Sequence, residues 1–473
     1  MNPLLKLSGS ALAAMIRRRE LSASEAVEAH IEQIEKVNPL INAVVARRFD
    51  EARREAREAD RRVAEGGDLP PFHGVPCTIK ECFALTGMPH SSGLVARKDR
   101  VAGEDADGVA RLRAAGAIPL GVTNVSELCM WMESNNQVYG RTNNPYNPGR
   151  IVGGSSGGEG AIIGAGASPF GLGSDIGGSI RMPAFFNGVF GHKPTGGLVS
   201  NAGQYPLPAE AAMNYVTTGP LCRRAEDLMP LLRVLAGPEK RALLGDPGEV
   251  DLSTLEVVTV EDNGSLRVHP ELQRAQQGAA RALEKRGAKV RSAKITGLAR
   301  TLEIWGAALD AAGGPSYATL LGDGTPVRAW AELLRWAARR SPHTLPSIVL
   351  ALVEKIPKLL PDHAPRFVAQ GKALRAELLE LLGPRGVMLY PSYTSPAPAH
   401  YRPLWPPFNW VYTAIFNVLE LPATQVPLGL DSEGLPLGVQ VASAHDHDQL
   451  TIAAALELER AFGGWVPPLL ARS

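Results

Sequence analysis

The sequence predicts an α/β fold, and three observations carry that prediction. Short apolar runs of strand length alternate with segments of helical period, as at 75–79, 106–115 and 117–122, the pattern expected of a sheet layered by helices. Lys80 ends the first of those runs, at the strand terminus where open α/β sheets place their chemistry. A chain of 473 residues with 45% hydrophobic content is long and apolar enough to bury a large core.

In chain order, residues 8–65 read as helices. Leu12, Met15 and Ile16 recur at helical spacing, and Ser22-Ala23-Ser24-Glu25 has the form of a capping box. Ala26, Val27, Ile31 and Ile34 share one face of the helix it starts, and Asn38-Pro39 is expected to stop that helix. The Arg/Glu-rich stretch 47–63 predicts a third helix whose charges pair along a solvated face. These elements make an N-terminal helical segment, 1–68, packed on a main domain spanning 69–473.

Within the main domain, 75–79 is a strand, 106–115 a helix and 117–122 a strand. Residues 159–167 are small and helix-competent, and Phe170-Gly171-Leu172-Gly173 brings the chain back. A loop and a helix near 228–235 fill 197–240. Strand 255–260, helix 269–286 and strand 288–290 follow. The stretch 345–360 predicts an amphipathic helix kinked near Pro357. Strand 386–391 precedes a proline- and aromatic-rich stretch, 403–410, expected at a pocket mouth. A helix then runs to Val418, 421–427 and 434–441 form paired strands, and 448–462 is the last long helix.

Lys+Arg of 49 against Asp+Glu of 48 leaves a formal net charge of +1, which offers no field for nucleic acid or an acidic membrane as main partner. No apolar run reaches membrane-spanning length, and the opening residues are too short and interrupted for a secretion signal. Cys77, Cys82, Cys129 and Cys222 lack metal-ligand spacing and read as reduced thiols of a cytoplasmic protein. His445 and His447 flank Asp446 without a third ligand, so no metal is expected there.

The chemistry gathers in two glycine clusters. Gly153-Gly154-Ser155-Ser156-Gly157-Gly158 is followed by Ser174-Asp175-Ile176-Gly177-Gly178-Ser179-Ile180-Arg181. Glycine lets a ligand approach the main chain closely, as a pocket of peptide N–H groups requires. Ser179 would attack a carbonyl while amides of Ile176, Gly177, Gly178 and Ser179 itself face the developing oxyanion. Its base is not a neighbouring histidine, and Lys80, at the end of an apolar strand, is the candidate. Lys193 is a rival base. Gly154, Ser156 and Gly158 also satisfy Gly-x-Ser-x-Gly, which would make Ser156 the nucleophile, with His400, His445 and His447 downstream. Neither cluster has the Gly-Lys-Ser/Thr ending of a nucleotide loop.

With these motifs the chain resembles the amidase signature family, and within it the fatty acid amide hydrolase-like branch. The resemblance implies a single large domain with a mixed, twisted sheet covered by helices on both faces, a core signature over 74–196 and a variable substrate-facing insertion at about 300–382. It implies a Ser-Ser-Lys triad: Lys80 as general base, Ser155 as bridging serine after a cis peptide bond, Ser179 as nucleophile. Ser179 follows Ser155 by 24 residues and Lys80 by 99, separations that match the family's familiar members. Ser156, Asp175 and Arg181 would support the loop around Ser179, while Lys193 would fall in a structural turn. Met130 and Trp131 would line the acyl pocket, favouring a greasy or aromatic acyl group.

The expected activity is hydrolysis of an amide C–N bond without a cofactor, on a small lipophilic or aryl substrate. Two alternatives stand beside it: a carbamate hydrolase using the same triad, and the amide-transferring subunit of the tRNA-dependent amidotransferase. Glu159-Gly160 and Ile176 favour the hydrolase branch over that subunit. The sequence leaves the oligomeric state open, a homodimer included.

Overall fold

The computed structural model describes residues 1–354, 363–405 and 408–472. Its strands are β1 (Val44–Arg47), β2 (Pro76–Lys80), β3 (Ile118–Thr123), β4 (Asn135–Asn136), β5 (Gly140–Arg141), β6 (Phe170–Asp175), β7 (Phe190–Lys193), β8 (Thr217–Cys222), β9 (Glu256–Thr259), β10 (Lys289–Ser292), β11 (Gly386–Tyr390), β12 (Ala423–Leu430) and β13 (Pro436–Ser443). β4 and β5 form a small hairpin. The others make one 11-stranded sheet in the order β1-β3-β2-β6-β8-β7-β12-β13-β11-β9-β10. β2 runs parallel to β3 and β6, β9 runs parallel to β10 and β11, and the remaining neighbours are antiparallel.

Side chains alternate across a pleated strand, so a strand buried on both faces feeds two cores. β11 does this: Val387 and Leu389 join one apolar cluster, Met388 and Tyr390 the other. The first cluster takes in Leu12, Ile31, Leu232 and Leu458 from covering helices, and the second takes in Phe186, Leu378, Ile415 and Phe416. Helices therefore shield both faces of the sheet.

The N-terminal segment contains helices Gly9–Arg17, Ala23–Ile41 and Phe49–Glu65. Ser22 and Glu25 exchange side-chain and backbone hydrogen bonds in a complete capping box. Pro39, however, does not stop the helix. It sits within the last turn, and the chain leaves at Asn42, which is left-handed (φ 48°), while Asn38 Oδ1 accepts from the amides of Ala43 and Val44 at 2.8 Å. Burial of Val37 and Ile41 on that turn offsets the bond Pro39 cannot make. The segment also supplies β1, which pairs with β3 at the sheet edge.

The stretch 197–240 holds a strand as well as the helix Leu228–Lys240. β8 reads Thr-Thr-Gly-Pro-Leu-Cys, and glycine plus proline hide a strand that is buried throughout. Gly219 is there because a Cβ would collide with the His192 carbonyl of the neighbouring strand β7. The insertion carries helices Thr301–Ala312, Tyr317–Leu321, Ala329–Ala337, Leu345–Val353 and His363–Leu382. The kink expected near Pro357 lies outside the described residues. Among the described residues, no helix is long and apolar enough to cross a membrane.

Candidate active site

The parallel pairing of β2 with β6 aligns Thr78 with Gly171 and Ile79 with Leu172, which sets Lys80 beside the end of β6. Lys80 Nζ, fully buried, lies 2.7 Å from Ser155 Oγ and 2.9 Å from Ser174 Oγ, with the Ser174 carbonyl at 3.5 Å. Among the described residues no carboxylate comes within ion-pair distance of that amine. Its neighbour Glu81 turns elsewhere: it accepts from the Ser91 amide and hydroxyl, the Ser92 amide and the Tyr139 hydroxyl. Burial pushes the Glu81 carboxyl up to about 7 despite these donors.

Ser155 follows a cis Gly154–Ser155 peptide at the entrance to helix Gly157–Gly164. Trp131 explains Gly154, since a Cβ there would collide with the Trp131 carbonyl. Ser156 ties the two glycine clusters together. Its amide donates to the Ser179 carbonyl at 3.2 Å and its hydroxyl to the Ser174 carbonyl at 3.3 Å. The structure thus gathers Lys80, Ser155, Ser156 and the 174–181 loop at one place, although Ser156 Oγ faces a carbonyl rather than any of the three histidines considered as its base. His400 pairs with Glu133, and His445 with Asp446.

Beneath the glycine loop, Asp175 and Arg181 form a fully buried ion pair, with Oδ1 3.0 Å from Nη2 and Oδ2 3.1 Å from Nε. Arg181 also donates to the Thr413 carbonyl, Gln440 Oε1 and Asn417 Oδ1. Burial alone would push the Asp175 carboxyl up, yet the Arg181 guanidinium and the amide donors hold it well below the usual carboxylate range. Those donors include the Gly178 amide at 2.7 Å and the Ile180 amide at 3.0 Å. This corrects one expectation. The Gly178 N–H is spent on Asp175 and does not face a substrate oxygen, because the left-handed turn at Gly178 (φ 120°) folds the chain back over the carboxylate. The amides of Ile176, Gly177 and Ser179 have no acceptor within hydrogen-bonding distance among the described residues.

Lys193 is not in a turn. It ends β7, buried, with Nζ donating to the Pro194 carbonyl at 2.8 Å, and burial together with Arg181 pushes its amine down to about 7. Among the described residues it bonds none of Lys80, Ser155 and Ser179. Met130 and Trp131 are each part-exposed; Met130 packs on a small cluster with Leu128, Tyr317 and Leu321, and Trp131 on the larger core around Met132 and Met182. Thr78 and Thr123 donate to Glu159, whose carboxyl burial pushes up to about 8.

Several residues at the site carry no local sequence signal. Ser174, Trp305, Thr413, Asn417 and Gln440 touch Lys80, the glycine loop or its ion pair, but their roles arise from chain crossings. Ser174 alone was within reach: pairing 76–80 with 170–175 as parallel neighbours places it beside Lys80.

The arrangement can be set against known proteins. A family model described as Amidase matches residues 25–452. The chain is 50% identical over 488 aligned residues to fatty-acid amide hydrolase 2-A of Danio rerio, covering 99% of this chain and 91% of that protein. It is 48% identical over 484 aligned residues to fatty-acid amide hydrolase 2 of Homo sapiens, covering 98% and 91%. Among solved structures, 6-aminohexanoate cyclic dimer hydrolase complexed with substrate superposes with a TM-score of 0.80 at 27% identity, covering 99% of each chain.

Proposed function

This chain belongs to the amidase signature family, in its fatty-acid amide hydrolase-like branch, and is an amide-cleaving hydrolase; we propose that Lys80, Ser155 and Ser179 carry the reaction on a lipophilic or aryl amide. The observation that carries this reading is the contact of a buried amine with the Ser155 hydroxyl, next to a glycine loop bearing free amides. Lys80 takes the Ser155 proton as Ser155 takes that of Ser179, and Ser179 Oγ attacks the carbonyl. The amides of Ile176, Gly177 and Ser179 then receive the tetrahedral oxyanion. The same relay returns the proton to the departing nitrogen, and water releases the acyl group from Ser179. Returning that proton matters because an amine is a poor leaving group.

Trp305 and Trp410 lay indole surface over Gly177 of this loop, which supports an apolar or aromatic acyl group over a charged one, and Met130 and Trp131 would extend that lining. The same donors would serve a carbamate carbonyl. Four free thiols support a reducing, cytoplasmic setting.

A panel of anilides, fatty amides, esters and aryl carbamates, graded by acyl length and run on the chain purified alone, tests the proposal. Ser179→Ala should lower turnover by about 10⁴-fold or more with thermal stability unchanged. Persistent turnover in that variant refutes the nucleophile. Turnover only when partner proteins are added points to the amidotransferase reading, and a panel won by carbamates assigns the carbamate reading.

A further inference from the structure

The glycine loop is held from outside the core signature. The Trp305 indole N–H, on the first helix of the insertion, donates to the Ile176 carbonyl at 2.8 Å. Trp305 also packs edge-to-face on Trp410, with centroids 4.7 Å apart at 75°. Both rings lie over Gly177: a Cβ there would sit 3.5 Å from Trp410 and 3.8 Å from Trp305.

A trans peptide is planar, so fixing a carbonyl also fixes the following N–H, pointing the other way. Three successive carbonyls of the loop are anchored. That of Asp175 accepts from Asn417 Nδ2 at 2.8 Å, that of Ile176 from Trp305, and that of Gly177 from the Thr413 hydroxyl at 2.7 Å. Their anchoring orients the amides of Ile176, Gly177 and Gly178 in turn, the last of which is spent on Asp175. Trp305 thus holds the one plane that presents the Gly177 N–H, in a Gly-Gly stretch where the backbone is otherwise free to rotate.

We infer that Trp305 is a positioning residue for the oxyanion site, so that the variable insertion is part of the catalytic apparatus. This rests on the reading of Ser179 as nucleophile. A donor fixed in advance helps where charge develops, in the transition state, and contributes little to ground-state binding. Losing the anchor should therefore lower kcat and leave KM nearly unchanged.

The test compares Trp305→Phe, which keeps a ring against Trp410, with 3-benzothienylalanine at 305, which keeps the indole shape and replaces only N–H by sulfur. Both should lower kcat for an anilide about tenfold, with KM within about twofold and melting temperature unchanged, since a direct oxyanion donor is worth roughly 10²–10³. Affinity for a trifluoromethyl ketone that forms a tetrahedral adduct on Ser179 should fall by the same factor as kcat/KM. Unchanged kcat in the benzothienyl protein overturns the inference. So does a fall in kcat accompanied by an equal rise in KM, or an unaltered ketone affinity. Ser179→Ala, run in parallel, separates the two claims: activity surviving there defeats the nucleophile reading itself, whereas a dead Ser179→Ala beside a fully active Trp305 variant defeats only the role of Trp305.

Discussion

Lys80 and Arg181 are both fully buried basic side chains at the same glycine loop, yet their surroundings differ in kind. Arg181 is met by both Asp175 oxygens and by acceptors from Thr413, Asn417 and Gln440, on elements more than 200 residues away in sequence. Lys80 meets hydroxyls, from Ser155 and Ser174, with no carboxylate within ion-pair distance among the described residues. A guanidinium keeps its proton and rewards planar, bidentate partners, so the Arg181 centre is a fixed frame. An amine among hydroxyls has partners that can pass a proton on. One centre holds the loop in shape, and the other is equipped to move charge through it.

That contrast is broken most severely at Lys80. Lys80→Ala should reduce amide turnover by about 10²–10⁴-fold, the usual worth of a general acid–base group, while the folded state persists. Stopped assays with an anilide, alongside a thermal melt, check both halves. If the melt collapses instead, Lys80 belongs with Arg181 as framework.

Arg181→Met should act in the opposite way, through stability. It leaves Asp175 buried without its cation, at a cost of about 3–5 kcal/mol, read as a lowered denaturation midpoint. The pair also sets a pH dependence. Asp175 has a folded-state pKa below its ordinary value of 3.8, so its contribution is complete above that pH and is lost as pH falls further. Wild type should lose stability more steeply in that acid range than the Arg181 variant.

The smallest effect sharpens the comparison at a third buried titratable group. Glu159 sits at about 8 in the folded protein against 4.5 ordinarily, so the folded state holds a proton that the unfolded state releases between those values. Stability should therefore decline as pH rises from 4.5 to 8, and Glu159→Gln should flatten that slope in melts across the range.

What the sequence disclosed follows from how local each feature is. The Ser22–Glu25 cap, the strand ending at Lys80 and the helix beginning at Asp448 depend on residues within a few positions of one another. β8 escaped because Gly219, placed by close approach of the neighbouring strand, and Pro220 erase the apolar alternation that marks a strand. Trp305 and Asn417 escaped because their hydrogen bonds to the loop span 129 and 242 residues. Gly178 misled because a glycine motif shows that a tight turn is needed, while the direction of its N–H depends on Asp175 and Thr413.

The most direct test of the Lys80–Ser155–Ser179 relay is the ratio of amide to ester turnover, using one acyl group on both leaving groups, in wild type and Lys80→Ala. An ester leaves without a proton and an amide does not, so the account predicts that the ratio falls at least about tenfold in the variant. An unchanged ratio would contradict it.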